Sequence, residues 1–501
     1  MLLHDLVNAH RPHSICVLLS GLSVLLYNLR TIKFGLDRPV ELWPLAFVCV
    51  SPMIAAQEYH RSFLVSLVTF TICSTLFFWS IGLEWYVGFV TGLMWGVLWD
   101  ILEFSDLYLF NERFDTSKPT RRATYWTTIV YITSLFLGTF FALSTPLHDA
   151  PILIQPISLL GFYALEFTVF TVNAAVGQLV FSQHRKPLFY VPRLSAGPSA
   201  RVATITPGAE LGGVSCDKTV VEQYEKDATC NGTLERQLEL TRHAVTVGGA
   251  KFVVWPELWL GPFQNLTDAE DYVSSHVGPL AGRLGAFVSV GALVGESGNI
   301  AIMVGPEGEI LGVYGKQKPL GLVGEKSSLR FGYPTYEIPW TSLVERNRTS
   351  PGKVGTLICY DVDFTGPLRS IIMQGAGLIL NPSQDWSAVR DHLSQAVFRA
   401  VESRVAIAKA DMAWDSVIVD PWGRKVARFQ SLTERENVLV ATVELGNGAP
   451  TVATVTGDIL PLLCAAYSLF VLVSAGWKWY EVRVARHVYT PDGEYGSLMS
   501  A

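Results

Sequence analysis

Through its first third the chain is a string of apolar runs with short polar breaks, and after that the pattern changes. The runs fall at about 14–30, 39–57, 62–82, 84–102, 124–145 and 151–183. Roughly 20 apolar residues cross a bilayer as a helix, so each run predicts a membrane span. Pro151 and Pro156 predict that the last one opens with an interfacial stretch. Trp79, Trp85, Tyr86 and Trp126, at run edges, suit the headgroup level. A seventh run, Ile459 to Gly476, closes on Trp477-Lys478-Trp479-Tyr480. The pattern predicts a multi-span membrane domain over 1–183, a linker over 184–200 marked by Pro187, Pro192 and Pro198, a globular domain over 201–450, a membrane helix over 451–480 and a polar tail over 481–501.

Within the globular region, short apolar strands alternate with helical spacing. Arg201 to Thr206 reads as a strand that stops at Pro207-Gly208. Leu234 to Val247 repeats apolar residues at helical spacing and stops at Gly248-Gly249. Phe252 to Trp255 is the next strand. Ala286 to Val294 and Ile300 to Val304 read as a hairpin, followed by the turn Gly305-Pro306-Glu307-Gly308. Val354 to Cys359, Gly377 to Leu380 and Ala406 to Lys409 are further strands, with a helix over Ala388 to Val405. This alternation predicts a layered α/β domain.

Composition agrees with a membrane protein and narrows the partners. Half of the 501 residues are apolar, only 16% are charged, and the mean hydropathy is +0.31; such values suit several spans. A net charge of -6 argues against a nucleic-acid partner. Seven cysteines occur with no CxxC or histidine-rich spacing, so no structural zinc site is expected. Cys16, Cys49, Cys73 and Cys464 lie in apolar runs, as small buried side chains do. Cys216 and Cys230 lie in the polar half, where an oxidising compartment would let them pair. No cleavable leader is expected, because the first residues are polar and the first apolar run is followed by more of the same.

Three short stretches each bring a reactive group to the end of an apolar run. They are Trp255-Pro256-Glu257, Tyr314-Gly315-Lys316 and Leu357-Ile358-Cys359-Tyr360-Asp361. A cysteine on a strand-to-turn elbow exposes its sulfur beside backbone N–H groups that can face an oxyanion. Its thiolate is the reactive form, and a nearby cation favours it. Lys316 is suited to that task and to stabilising a tetrahedral intermediate. Glu257 is suited to take the thiol proton and later serve the incoming nucleophile. Singly, each has a plainer structural reading: a packed strand cysteine, a surface lysine, a helix-start glutamate. Together, in this order, they point to thiol acyl transfer. Elsewhere, Glu166 stands in the sixth apolar run, where a carboxylate is costly; an interfacial position or a contact with Asn173 is its plainer reading. The segment Phe104–Arg122 mixes aromatic and charged residues and is a candidate for lying on the membrane.

In order and context the three stretches resemble the nitrilase, or carbon–nitrogen hydrolase, superfamily. Its members show Glu after a strand ending Pro-Glu, Lys in a Tyr-x-Lys context, and Cys after an apolar strand. Trp255-Pro256-Glu257, Tyr314-Gly315-Lys316 and Ile358-Cys359-Tyr360 match all three. Asn381 to Trp386 is similar to the family's Asn-Asp-Trp segment, His392 to Glu402 to its following helix, and Asp420-Pro421-Trp422-Gly423 to its late Gly-Pro-x-Gly turn. The implied fold class is α/β: an α-β-β-α sandwich domain, here combined with an α-helical transmembrane domain.

Apolar runs on both sides of that region make the chain resemble the apolipoprotein N-acyltransferases. The resemblance implies that a phospholipid acylates Cys359 as a thioester. An amino group of a protein or lipoprotein then accepts the chain. It implies Glu257 as general base, Lys316 as oxyanion stabiliser, and no metal or organic cofactor. Gly324-Glu325 matches a further glutamate of that family at a spacing one residue longer, and Cys359-Tyr360-Asp361 stands where the family has Cys-Tyr-Glu. Glu325, Tyr360, Asp361 and Trp386 are thus candidates for positioning acceptor or lipid. The chain is expected to act as a monomer. Two rival readings are a membrane-anchored amidase or nitrilase-type hydrolase, in which water resolves the thioester, and an inactive membrane scaffold. The number of predicted spans speaks against the first, and the intact Glu257, Lys316 and Cys359 against the second.

Two signals disagree about the side of the membrane. With six N-terminal spans, the N-terminus and the globular region share a side. Lys and Arg are then more numerous on that side, Lys118, Arg121 and Arg122 among them, which favours a cytoplasmic domain by the positive-inside rule. Three glycosylation sequons, at Asn231, Asn265 and Asn347, lie in the same region. The resemblance implies the extracytoplasmic side, and that is the expectation here: the endoplasmic reticulum lumen in a eukaryote, the periplasmic side in a bacterium.

Overall fold

Apolar sequence becomes helix wherever the backbone has no water to bond. The N-terminal part forms α1 (Pro12–Leu29), α2 (Ser51–His60), α3 (Phe63–Ser80), α4 (Trp85–Phe110), α5 (Lys118–Leu137) and α6 (Phe162–Leu179). A C-terminal helix, Ile459–Val488, packs on α4 and α5. Two helices among the described residues are long and apolar enough to cross a membrane, Trp85–Phe110 and Ile459–Val484. Cys16–Leu29, Trp43–Gln57 and Phe63–Trp79 are apolar but shorter. The computed structural model describes residues 12–29, 31–32, 40–60, 63–80, 84–110, 117–139, 141–179, 199–206, 229–321, 325–326, 331–339, 342–345, 352–385, 392–412, 415–430 and 437–488.

Small residues set the contact between α3 and α4. Gly88, Gly92 and Gly96 recur every fourth residue on one face of α4. An added Cβ would stand 2.5 Å from the Ser74 oxygen at Gly88, 2.5 Å from the Phe70 oxygen at Gly92, and 2.7 Å from Leu67 Cα at Gly96. Such spacing lets two helix backbones touch. Two carboxylates inside the helical layer are paired with arginines. Glu103 accepts from Arg122, and Asp106 accepts from Arg121 Nε at 2.6 Å. Glu166 is buried rather than interfacial: it accepts from Trp126 Nε1 at 2.7 Å and from the Leu143 and Ser144 N–H groups at 2.9 and 3.0 Å. Asn173 bonds instead to the backbone of Ala46 and Val50. Of the segment Phe104–Arg122, residues 104–110 continue α4 and 118–122 open α5, while 111–116 lie outside the described residues.

The region from 199 to 444 folds as two facing sheets. Its strands are β1 (Ser199–Thr206), β2 (Phe252–Val254), β3 (Leu260–Phe263), β4 (Phe287–Val294), β5 (Gly298–Val304), β6 (Ile310–Gly315), β7 (Thr335–Tyr336), β8 (Leu343–Glu345), β9 (Lys353–Thr356), β10 (Ala376–Ser383), β11 (Ala406–Asp411), β12 (Asp415–Val419), β13 (Lys425–Gln430) and β14 (Asn437–Glu444). One sheet runs β8-β1-β2-β4-β5-β6, with β14 beside β1 and β3 beside β4; the other runs β13-β12-β11-β10-β9-β7. At the centre of each sheet the strands are parallel: β1, β2 and β4 in one, β9, β10 and β11 in the other. Parallel neighbours need crossover helices. These are α7 (Thr229–Thr246), α8 (Leu266–His276), α9 (Thr365–Ile372) and α10 (His392–Ser403).

Strand alternation builds the layers. Val202, Phe252, Val254 and Phe287 of one sheet meet Leu378, Leu380, Ala406 and Ile418 of the other. Val253, Val288 and Ile302 turn outward beneath Leu240 and Ala244 of α7. On the opposite outer face, Ile379, Ile407 and Val419 join Val397, Phe398 and Val401 of α10, and that apolar cluster continues into the helical layer. The result is an α-β-β-α sandwich docked on helices. Phe162 of α6 packs against Phe398 with the rings tilted and their centroids 5.3 Å apart, and the Phe162 N–H donates to Glu402 at 2.9 Å.

Helix direction corrects the charge count made from the apolar runs. The C-terminal end of α5 abuts the α/β domain: Gly138 (φ 68°) would place a Cβ 2.7 Å from Asp363 Cβ, and Thr139 donates to the Asp363 oxygen at 3.0 Å. The C-terminal helix starts at that same end, where Arg369 donates to Asp458 at 2.8 Å. It runs away until Lys478 donates to the Tyr108 oxygen at 3.1 Å. Lys118, Arg121 and Arg122, at the start of α5, therefore lie with Lys478 at the end remote from the α/β domain.

Candidate active site

The reactive side chains stand just past the C-terminal ends of strands, where α/β sheets open toward ligands. Glu257 follows β2, Lys316 follows β6, Cys359 follows β9 and Asp385 follows β10. Glu257 Oε1 accepts from Lys316 Nζ at 2.9 Å and from Asn299 Nδ2 at 2.6 Å. Its Oε2 accepts from the Gln384 N–H at 2.9 Å. Lys316 Nζ also donates to Glu325 Oε2 at 2.8 Å, and Asn299 reaches Glu325 Oε1 at 3.0 Å. Burial alone would push the Lys316 ammonium down. The carboxylates of Glu257 and Glu325, with the Cys359 sulfur, instead hold it well above the ordinary lysine value. It stays charged.

Cys359 opens a tight turn, Cys359–Asp363, with φ at 44°. A side chain with a Cβ seldom adopts that conformation unless its surroundings hold it there. The buried carboxylate of Asp361 does the holding. It accepts from the Ile358 N–H at 3.2 Å, the Lys318 N–H at 2.8 Å, the Gln317 N–H at 3.1 Å and the Tyr314 hydroxyl at 2.7 Å. One side chain thus ties the elbow to the strand end that carries Lys316. Burial, opposed by these donors, pushes Asp361 up to about 7. The thiol is pushed well above its ordinary value by burial first, then by Glu257, with Lys316 pulling the other way. At rest, therefore, the sulfur carries its proton, and activation requires a transfer.

The structure brings Glu257, Lys316 and Glu325 into one hydrogen-bonded group, within electrostatic reach of Cys359. Asp361 lies behind the elbow with its oxygens occupied. Tyr360 is buried, its ring edge-on to Phe364 at 5.1 Å, and its hydroxyl has no partner among the described residues. Trp386 lies outside the described residues, as does Cys216. Lys318, the neighbouring lysine, sits over the Phe364 ring instead.

Sequence reasoning missed Asn299, Asp385, His392 and Lys409. Cys359 Sγ lies 3.9 Å from Asp385 Oδ1, which also meets His392 Nδ1 at 2.8 Å. Donor atoms of Cys359, Asp385 and His392 lie within 4.8 Å of one another, a spacing that a metal ion can bridge. Yet His392 Nε2 faces Asp363 at 3.1 Å, and Asp385 Oδ2 accepts from Lys409 Nζ at 2.6 Å. These donors already serve one another, and two cations, Lys316 and Lys409, flank them. The set fits a hydrogen-bonded network better than a metal site. The signal for it was present in Asp385 and His392, seven residues apart, the second opening α10.

Residues 220–451 match the family model described as carbon-nitrogen hydrolase. That stretch is similar in sequence to carbon–nitrogen hydrolase, or nitrilase-type, domains. Over 248 residues the chain is 29% identical to the apolipoprotein N-acyltransferase of Geobacter metallireducens, covering 45% of this chain and 46% of that one. Over 368 residues it is 24% identical to apolipoprotein N-acyltransferase 2 of Treponema denticola, covering 63% and 69%. A solved amidase from Nesterenkonia sp. AN1 aligns with 48% of this chain and 92% of its own, at 20% identity and a TM-score of 0.37. The chain thus spans under half the length of the Geobacter relative.

Proposed function

We infer that this protein is a membrane-bound N-acyltransferase. It moves a fatty acyl chain from a phospholipid, through a Cys359 thioester, to an amino group of a protein or lipoprotein. The single observation that carries the reading is the place of the nucleophile. Cys359 and Tyr360 belong to the same apolar cluster as the helical layer, and Asp363 of the same turn packs against Gly138 at the end of α5. A lipid arriving along these helices would meet the thiol at the seam. Names of relatives that are themselves N-acyltransferases support the same class. The proposed organisation is a six-span membrane domain over 1–183, a linker over 184–200, the catalytic domain over 201–450, a membrane helix over 451–480 and a tail over 481–501.

The proposed chemistry follows from the charges. The Cys359 sulfur attacks the ester carbonyl while Glu257 takes its proton. Lys316, charged and buried, stabilises the oxyanion in a setting where water cannot compete. The intermediate collapses with loss of the lysophospholipid alkoxide, which Glu257 protonates. A neutral amine then attacks the thioester, Glu257 takes a proton from it, and the thiolate leaves and is reprotonated as the amide forms. Glu325, bonded to Lys316 and Asn299, positions the ammonium.

Helix direction supports catalysis on the extracytoplasmic side. Lys118, Arg121, Arg122 and Lys478 gather at the end of the helical layer remote from the catalytic domain, and the positive-inside rule then puts that end in the cytoplasm. Asn265 of the sequons is exposed and caps α8 by accepting from the Asp268 N–H at 3.0 Å. Incubating the purified protein with phospholipid and weighing it intact tests the mechanism. A fatty-acyl mass that maps to Cys359, yields to hydroxylamine and is absent from Cys359→Ser is expected. No adduct, with small amides turned over instead, would move the protein to the amidase reading.

A further inference from the structure

A second group of charges closes on the thiol. Cys359 Sγ reaches Asp385 Oδ1 at 3.9 Å. The same oxygen meets His392 Nδ1 at 2.8 Å. His392 Nε2 returns to Asp363 Oδ2 at 3.1 Å, and Asp363 ends the tight turn that Cys359 begins. The contacts therefore form a closed loop from the thiol, through Asp385 and His392, back to the thiol's own turn. Lys409 holds the loop from outside, donating to Asp385 Oδ2 and Asp411 Oδ2 at 2.6 Å each, while the Asp385 N–H donates to Asp411 at 3.2 Å. All six residues are buried, His392 and Asp363 to 1% exposure. A buried network with this many charges is costly unless it is satisfied.

We propose that Asp385 and His392 are positioning residues for the Cys359 thiol. Asp385 holds the Sγ–H in the orientation from which the sulfur meets an acyl carbonyl. His392, clamped between Asp385 and Asp363, fixes Asp385 relative to the elbow. Asp385 is not the base. Burial would raise it, but His392 and Lys409 hold it well below the usual carboxylate range, so it accepts a hydrogen bond and keeps no proton. His392 in turn is driven up to about 10: burial opposes its charge, and Asp385 and Asp363 overcome that. It is an imidazolium clamp at neutral pH. The groups facing the sulfur are then Glu257, Lys316, Asp385 and the Gln384 N–H. Those facing Asp385 are His392, Lys409 and Asp411, and Arg399 lies beyond Asp363.

The proposal rests on Cys359 as the nucleophile, and its test does not require the acyl donor to be a lipid. The full-length protein is alkylated with iodoacetamide across pH, and the rate at the Cys359 peptide is read by mass spectrometry. Asp385→Asn removes a negative charge beside the sulfur and should move the alkylation midpoint to lower pH by about one unit or more. His392→Gln leaves the Asp385 charge less compensated and should move it to higher pH. Both should slow acyl-adduct formation from phospholipid by about tenfold to a hundredfold, the scale of a misplaced reacting group. Midpoints that stay at the wild-type value, or that move in the same direction, overturn the proposal. Should Asp385→Asn fail to fold, His392→Gln decides alone: an upward shift supports the clamp, and no shift refutes it. A wild-type protein that alkylates as expected yet takes no acyl chain from phospholipid sinks the acyl-transfer reading and leaves the clamp standing.

Discussion

Replacing Lys316 by Met removes one charge while keeping most of the stem. Lys316 is 2% exposed, and its ammonium donates to Glu257 at 2.9 Å and Glu325 at 2.8 Å. Breaking a buried pair by removing one partner costs about 3–5 kcal/mol. A ceiling comes from the carboxylate left behind. It is relieved by taking up a proton, which from an ordinary glutamate value near 4.3 costs roughly 1.36 × (7 − 4.3), or about 3.7 kcal/mol, at pH 7 and about 1 kcal/mol at pH 5. Glu257, 3% exposed, counts in full; the Glu325 side chain, 20% exposed, counts less because water screens it. The variant should therefore be about 3–4 kcal/mol less stable than wild type at pH 7 and about 1 kcal/mol less at pH 5. The sign follows from which group titrates. Lys316 is held above its ordinary 10.5, so its contribution is complete at every pH below that and constant between 5 and 7. The pH dependence belongs to the stranded carboxylate. Denaturant unfolding in detergent at both pH values measures the gap, and intact mass follows acylation. Acylation should fall by about 10²–10³, the worth of one oxyanion donor. A gap that is absent at pH 7, or that fails to narrow at pH 5, refutes the electrostatic reasoning. Acylation within a few-fold of wild type refutes the role of Lys316.

Other expectations follow from single residues. His392 is held at about 10 against an ordinary 6.5, so its stabilising share is complete below pH 6.5 and lost as pH rises through 10; the alkaline loss of stability seen in wild type should flatten in His392→Gln. Gly92→Leu drives a side chain into the Phe70 oxygen, 2.5 Å from where its Cβ would stand, and should lower stability in detergent by about 1–3 kcal/mol. A catalytic domain in the lumen of a eukaryotic host predicts a glycan at Asn265, so Asn265→Gln should lose one endoglycosidase-sensitive mobility shift; unchanged mobility counts against that side.

Much of the α/β domain was legible because strand burial is written at short range. Phe252 to Val254 and Phe287 to Val294 alternate between two apolar layers, and both neighbours in the pattern are needed to fill them. Glu257, Lys316 and Cys359 were legible because each follows its strand in a local context that recurs as a motif. The roles of Asp385 and His392 were not. Their partner is a sulfur that the chain brings from the end of a different strand, and no spacing along the sequence encodes that meeting. Asp361 misled in the opposite sense, since its position after Cys359 suggested a face toward ligand, while the positive φ of the elbow turns its carboxylate back onto the backbone of Ile358 and Lys318.

Membrane sidedness shows the same limit at larger scale. Hydropathy finds apolar runs but leaves open the direction in which each is traversed, and one uncertain run reverses everything after it. Counting runs put Lys118, Arg121 and Arg122 on the side of the catalytic domain. Two contacts at opposite ends decide otherwise: Gly138 against Asp363 pins the end of α5 to the domain, and Lys478 on Tyr108 pins the end of the C-terminal helix to the far side. Once those three charges change ends, the positive-inside argument and the sequons favour the same orientation. A charge-swapped variant offers the check. Reversing Arg121 to Glu together with Asp106 to Arg keeps the buried pair, whose Nε–Oδ1 distance is 2.6 Å, and leaves the count of basic residues near that end unchanged. It should insert as wild type does. Reversing Arg121 alone removes a basic residue from that end and strands Asp106 beside a second carboxylate. It should lower insertion or yield far more than the double exchange does. Equal losses in both would mean that the pair, and the end at which it sits, have no part in setting the orientation.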